Sequence, residues 1–139
     1  MRFMILVKAD ADTEAGVMPE PALLAEMAAY HEALAKAGVL LDGASLKPSS
    51  KGWRVRYAAG TRSVIDGPFT EARDMIAGYT LIQVRSREEA MEWARRFPSP
   101  HGAQADGEIE VRQLYELDDF GPSDGIERFR ELQNGRFPS

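Results

Sequence analysis

The sequence predicts an α+β fold, with helices covering one face of a mainly antiparallel sheet. Three observations lead there. Short apolar runs rich in β-branched and aromatic residues are separated by two longer stretches of helical periodicity. The middle of the chain alternates strictly between apolar and charged residues, Trp53-Arg54-Val55-Arg56-Tyr57, the period of a half-exposed strand. The length, 139 residues, suits one domain with a core large enough to need no covalent staples.

Taken in order, Phe3-Met4-Ile5-Leu6-Val7 is a first buried strand. Asp10 to Glu20 is acidic and carries Gly and Pro, which marks a loop. Pro21 to Ala37 predicts a helix, with Leu23, Met27, Tyr30, Leu34 and Ala37 at steps of three and four on one face. Pro21 suits its first turn and Gly38 its stop. Val39-Leu40-Leu41 begins a second strand, and Pro48-Ser49-Ser50-Lys51-Gly52 has turn chemistry. Trp53 to Tyr57 and Arg62 to Ile65, joined by Ala58-Ala59-Gly60-Thr61, form a hairpin. Asp66-Gly67-Pro68-Phe69 makes a stiff corner ahead of a strand at Ile76 to Val84, where Gly78 marks a bulge or a close backbone approach.

Ser86-Arg87-Glu88-Glu89 has capping-box form and opens a helix with Ala90, Trp93, Ala94 and Phe97 on one stripe, ended by Pro98 and Pro100. Glu108 to Tyr115 is the last strand, Asp118 to Pro122 a linker, and Asp124 to Asn134 a terminal helix with Ile126, Phe129 and Leu132 on one side. The order strand, helix, strands, strand, helix, strand fits a ferredoxin-like subunit with an added hairpin. Residues 1–120 form the domain and 121–139 a C-terminal extension. A sheet with helices on one face must cover the other, and Val55, Tyr57, Tyr79 and Leu81 supply apolar strand positions for it, which predicts a homodimer packed face to face.

Composition narrows the function classes. The chain has no cysteine, which excludes disulfides, thiolate metal sites and cysteine nucleophiles. A net charge of -5 argues against general nucleic-acid binding. With no signal-like start and no apolar run of spanning length, the expected location is cytoplasmic, away from the membrane. Two distant histidines without a third spaced ligand predict no metal, and no fingerprint predicts a cofactor.

Each chemical candidate has a structural alternative. Asp66 can bond its own turn, as Asx residues do, or aim a carboxylate into a cleft as a base. Phe69 is a core plug or a stacking platform. Glu71, Arg73 and Asp74 are a solvated turn or the frame of a polar pocket able to grip a small polar or anionic ligand. His31, at helical spacing from Leu24, Met27 and Leu34, is a bonded edge-of-core histidine or a general base with Asp10 or Asp66 as partner. His101, in the loop Pro100-His101-Gly102, reaches a cleft or faces solvent. Lys47, Lys51, Arg54, Arg56 and Arg62 make a basic stretch that attracts an anion or keeps a sheet edge soluble. Arg112 lies beside Glu108 and Glu110 as an internal ion-pair partner or a ligand contact.

Several blocks in order resemble one family. Met4 to Asp10, Ala37 to Leu41, Pro48 to Gly52, Asp66-Gly67-Pro68-Phe69-Thr70-Glu71, Ile76 to Tyr79, Ser86 to Trp93, Pro100 to Gly102 and Glu108 to Arg112 are together similar to the YCII-related family, in its Asp-Gly-Pro-Phe subgroup. The resemblance implies a dimeric α/β-barrel-like assembly of ferredoxin-like subunits. It also implies a His/Asp pair in some relatives, dehydrochlorination of a hydroxylated aromatic in one branch, and a link to extracytoplasmic-function sigma factors in others. Here Met27 stands where relatives carry a helix histidine, His31 lies one turn later, and Asp10 matches a recurring acidic position. The expected function is a small-molecule cleft of lyase or isomerase type, with Asp66, His31 and Asp10 as acid–base residues and Glu71, Arg73, Arg112 and His101 as ligand contacts. The alternative is a regulatory module beside a sigma factor, with Glu116 to Asp119 as a contact surface.

Overall fold

The computed structural model describes residues 1–71 and 74–135. Its elements run β1 (Arg2–Lys8), α1 (Ala11–Glu14), α2 (Pro21–Lys36), β2 (Leu40–Ser45), β3 (Trp53–Ala58), β4 (Thr61–Asp66), β5 (Ile76–Gln83), α3 (Arg87–Arg95), β6 (Ile109–Gln113) and α4 (Asp124–Gln133). Short 3-10 turns sit at Ser49–Lys51 and Leu117–Phe120. No helix among the described residues is long and apolar enough to cross a membrane.

Four strands form one antiparallel sheet in the order β2-β5-β1-β6, and β3 pairs only with β4 in a separate two-stranded sheet. With the hairpin set aside, β1-α2-β2-β5-α3-β6 in this order is the ferredoxin-like plan. Strand alternation decides which side carries the core. Phe3 and Ile5 of β1 and Ile82 of β5 face one way and meet Tyr30 and Leu34 of α2 and Ala90 and Trp93 of α3 in a single cluster. Ile5, Leu34 and Ile82 are fully buried, each worth about 1.5–3 kcal/mol of apolar burial. Helices α2 and α3 therefore lie on the same face.

The opposite face carries Met4 and Leu6 of β1 paired with Leu81 and Tyr79 of β5. Val55 and Tyr57 do not share that face. They lie on the hairpin, where Trp53, Tyr57 and Val64 are each about two-thirds exposed. The apolar positions expected on one surface are thus divided between two sheets. Gly78 combines both of its sequence readings. A bulge separates the pairs Val7–Gly78 and Lys8–Ile76, and a Cβ on Gly78 would lie 3.0 Å from the Ala44 carbonyl oxygen.

The helix ends follow local chemistry, with two departures. The Ser86 hydroxyl caps α3 by accepting from the Glu89 amide, but the Glu89 carboxylate takes the Arg85 amide instead of closing the box on Ser86. The acidic stretch after β1, read as plain loop, contains α1. There Asp10 and Thr13 form a reciprocal capping box, each side chain accepting the other's amide at 2.8 Å.

The Tyr30 hydroxyl donates to the Trp93 carbonyl at 2.7 Å, and its ring meets Phe97 edge-on, so one side chain joins α2 to α3. Burial holds its phenol neutral and pushes its pKa from 10.0 up to about 12, against a smaller opposing pull from Arg96. A raised tyrosine pKa favours the fold below the unfolded value, and that contribution is lost as pH rises from 10.0 to about 12. Tyr30→Phe should cost about 1 kcal/mol at neutral pH and flatten the alkaline loss of stability relative to the parent. Urea unfolding of both proteins at neutral and alkaline pH measures this.

Candidate functional site

The topology brings four connections to one end of the sheet. Because neighbours are antiparallel, the ends of β1 and β2 adjoin the starts of β5 and β6. The Ala9 amide donates to the Met75 carbonyl, the Lys8 amide to the Glu108 carbonyl and the Leu46 amide to the Ala77 carbonyl. The chain after β1, the turn after β2, the Asp-Gly-Pro-Phe corner before β5 and the loop before β6 therefore meet.

Asp10 and His101 come together there. His101 Nδ1 lies 3.4 Å from Asp10 Oδ2, with the imidazole 9% exposed and the carboxylate 34% exposed. At that distance the contact is longer than a hydrogen bond. The other ring nitrogen, Nε2, is 3.0 Å from the Lys8 carbonyl oxygen. A carbonyl and an ionised carboxylate are both acceptors, so a ring with a proton on each nitrogen satisfies both. Asp10 is oriented independently, since its Oδ1 accepts the Thr13 amide at 2.8 Å. One carboxylate oxygen thus caps α1 and the other faces the imidazole.

The corner is seated on the turn after β2. The Gly67 amide donates to the Gly52 carbonyl at 3.0 Å, and the Phe69 amide donates to Ser49 Oγ at 3.0 Å. The Gly67–Pro68 bond is cis. A Cβ on Gly67 would lie 1.9 Å from the Ser49 carbonyl oxygen, so only glycine fits. The Phe69 ring carries the Arg54 guanidinium 3.7 Å above its centre, which ties the hairpin to the corner. On the far side of the turn, Glu14 Oε1 accepts the Ser49 amide at 3.1 Å and Oε2 accepts the Ser49 hydroxyl.

The remaining expected residues lie elsewhere. His31 projects from α2 onto the middle of the sheet. Its Nδ1 is 2.7 Å from the Met27 carbonyl and its Nε2 is 2.8 Å from the buried Thr80 hydroxyl, so both ring nitrogens are engaged. Its partners are not Asp10 or Asp66. Asp66 ends β4, exposed and opposite Trp53. Glu71 is exposed, and its carbonyl takes the Asp74 amide. Arg73 lies outside the described residues. Arg112 is 72% exposed and bonded to Glu110, which also pairs with Lys8. Those two cations, Arg112 before Lys8, hold the Glu110 carboxyl below its ordinary pKa. The Arg112 backbone stands opposite Met4, four residues or roughly 13 Å along β1 from Lys8, although both cations reach the Glu110 carboxylate. The acidic run after β6 is exposed and bonds within the chain. Glu116 pairs with Arg2, Asp118 with Arg130, and Asp119 accepts the Glu116 amide. Among the described residues no three His, Asp or Glu side chains are grouped to hold a metal ion. Shallow hollows lie under the β3–β4 turn and beside Arg2 and Gln83, away from the Asp10–His101 pair.

Comparison with known proteins adds the family. Residues 1–118 match the YCII-related domain. The chain belongs to the YCII-related family. A protein of Rhizobium meliloti (strain 1021), described as uncharacterized protein R00369, is 29% identical over 93 residues, which is 67% of this chain and 75% of that protein. Among solved structures, 5-chloro-2-hydroxyhydroquinone dehydrochlorinase (TftG) from Burkholderia phenoliruptrix AC1100, in complex with 2,5-dihydroxybenzoquinone, aligns with a TM-score of 0.44 and 17% identity. That alignment covers 84% of this chain and 95% of the enzyme. A likeness of that degree carries no inference about what this YCII-related chain binds. This member brings an imidazole to Asp10 from the loop before β6.

The seat of the corner gives a sharp mutational contrast. Gly67→Ala drives a methyl group into backbone and should cost at least about 3 kcal/mol. Gly43→Ala meets nothing nearer than 3.5 Å and is the matched control. It should change stability by less than about 1 kcal/mol. Urea unfolding of the two variants measures the difference.

Proposed function

We propose that this chain is a homodimeric member of the Asp-Gly-Pro-Phe subgroup that binds a small polar molecule at the Asp10–His101 end of the sheet. There it acts by acid–base chemistry, as a lyase or isomerase. The observation that carries this reading is the pair itself. A partly exposed carboxylate is aimed by a capping bond and backed by a nearly covered imidazole at 3.4 Å. A carboxylate and an imidazole are the side chains most often used to take and give protons, so the pair has the composition of a general acid–base site. Asp10 is the member that faces solvent and serves as the proton-transfer group, while His101 backs it from the covered side. The proposal keeps Asp10 from the acid–base set expected from sequence and gives its partner role to His101 in place of His31.

The dimer reading rests on exposed apolar surface and charge. Met4, Leu6, Tyr79 and Leu81 lie half-buried on the sheet face opposite α2 and α3, and the hairpin shows Trp53, Tyr57 and Val64 to solvent. A two-stranded hairpin is marginal in water by itself. Between Lys47 and Asp66 lie five basic residues and one acidic residue, a local excess of +4 in a chain of net charge -5. That makes the hairpin complementary to the acidic remainder of a second copy. The surface opposite the helices then closes against the partner and deepens the open end of the sheet into a cleft.

Two measurements test this function. Incubation in deuterated water with small 2-oxo acids and hydroxylated aromatic carbonyl compounds, read by proton NMR, should show enzyme-dependent loss of an acidic C–H signal. Asp10→Asn should slow that loss by a factor of about 100 or more. No exchange with any probe, together with recovery of a sigma factor from the native host, favours the regulatory role instead. Light scattering should give twice the monomer mass at micromolar concentration. Val64→Glu should halve it while leaving the circular dichroism unchanged, and a stable monomer for the unaltered chain contradicts the assembly.

A further inference from the structure

We propose that Glu14 and Ser49 are positioning residues for the Asp10–His101 pair, linking it to the Asp-Gly-Pro-Phe corner through the short helix α1. The functional meaning of this link rests on the site reading above; the link itself is a matter of geometry.

Helix α1 has four residues and buries none of them. A single helical turn has no stability of its own, because nucleation costs more than one or two hydrogen bonds return. What holds it must be tertiary. Gly16, just past its end, sits against Pro48, with an added Cβ only 3.8 Å from Pro48 Cγ. The stronger tie is the Glu14 carboxylate, which takes both the amide and the hydroxyl of Ser49. The same hydroxyl accepts the Phe69 amide at 3.0 Å. A serine hydroxyl can donate and accept at once, so Ser49 completes an unbroken chain from Phe69 to Glu14. Gly67 presses on the Ser49 carbonyl from the corner side. The turn is therefore clamped between α1 and the corner.

The two members of the pair are anchored differently. His101 is held to β1 through the Lys8 carbonyl at 3.0 Å. Asp10 is held to α1 through the Thr13 amide at 2.8 Å. The backbone of Asp10 is placed by β1, two residues on from Lys8, so the direction of its carboxylate toward His101 is set by how α1 sits, and the Glu14–Ser49 link fixes that seat. The signature corner serves the site at one remove, without touching it.

The chain has only two histidines, so ring nitrogen–proton NMR gives two separate patterns, with His31 as internal control. Ser49→Ala should move the His101 ring nitrogens toward the values of a free imidazole and leave those of His31 in place. Ser49→Thr, which keeps the hydroxyl, should retain the parent pattern. Glu14→Gln, unable to take both Ser49 donors as a charged fork, should move His101 in the same direction by less, and it decides the matter if Ser49→Ala does not fold. An unmoved His101 pattern in folded Ser49→Ala or Glu14→Gln overturns the positioning role, whatever the activity. A moved pattern alongside undiminished exchange activity in Asp10→Asn upholds the positioning role and removes the proposed site.

Discussion

The arrangement at the Asp10–His101 end of the sheet depends on one close approach: the corner glycine Gly67 against the backbone of Ser49. A side chain at Gly67 would overlap the Ser49 carbonyl, and no rotamer change relieves a backbone contact. Once that approach is made, the Phe69 amide finds the Ser49 hydroxyl and the hydroxyl finds Glu14. Each bond alone is worth about 1 kcal/mol. Together they fix the relative position of three connections that would otherwise be independent loops.

The sheet order explains why these connections meet at all. In an antiparallel order β2-β5-β1-β6, residues that follow β1 and β2 lie beside residues that precede β5 and β6. Asp10, Ser49, Phe69 and His101 are far apart in the chain yet each is at the same end of the sheet. The core on the helix face, centred on Ile5, Leu34 and Ile82, gives that end a rigid base. Functional groups on connections carried by a packed scaffold are the usual division of labour between stability and chemistry.

Much of the fold was legible in the sequence because its signals are local. Helix α2 starts at Pro21 and stops before Gly38, and Trp53 to Tyr57 form a strand as expected, but both of its faces are exposed where the alternation predicts one buried side. The short helix α1 was hidden inside an acidic stretch, since a capping box of Asp10 and Thr13 lacks the Glu or Gln that usually marks one. Of the candidate site, both Asp10 and His101 were visible as residues, but their pairing was not. His31 drew attention because helical spacing makes neighbours easy to name. Its actual partner, Thr80, lies on a strand 49 positions away. The signal that could have found the pair was topological: Asp10 just after the first strand and His101 shortly before the last, in a plan where those strands are neighbours. The role of Gly67 was less accessible, because a steric constraint set by Ser49 leaves no trace in periodicity or propensity.

The central claim is that Asp10 and His101 act as one coupled unit. A double-mutant cycle on folding stability tests it most directly. Asp10→Asn retains a competent helix cap, and His101→Gln retains a donor for the Lys8 carbonyl, so the pair contact is the chief thing each removes. The account predicts a coupling of about 1 kcal/mol or more between the two substitutions at neutral pH. Losses that add to within about 0.3 kcal/mol would contradict it, since independent sites add in that way.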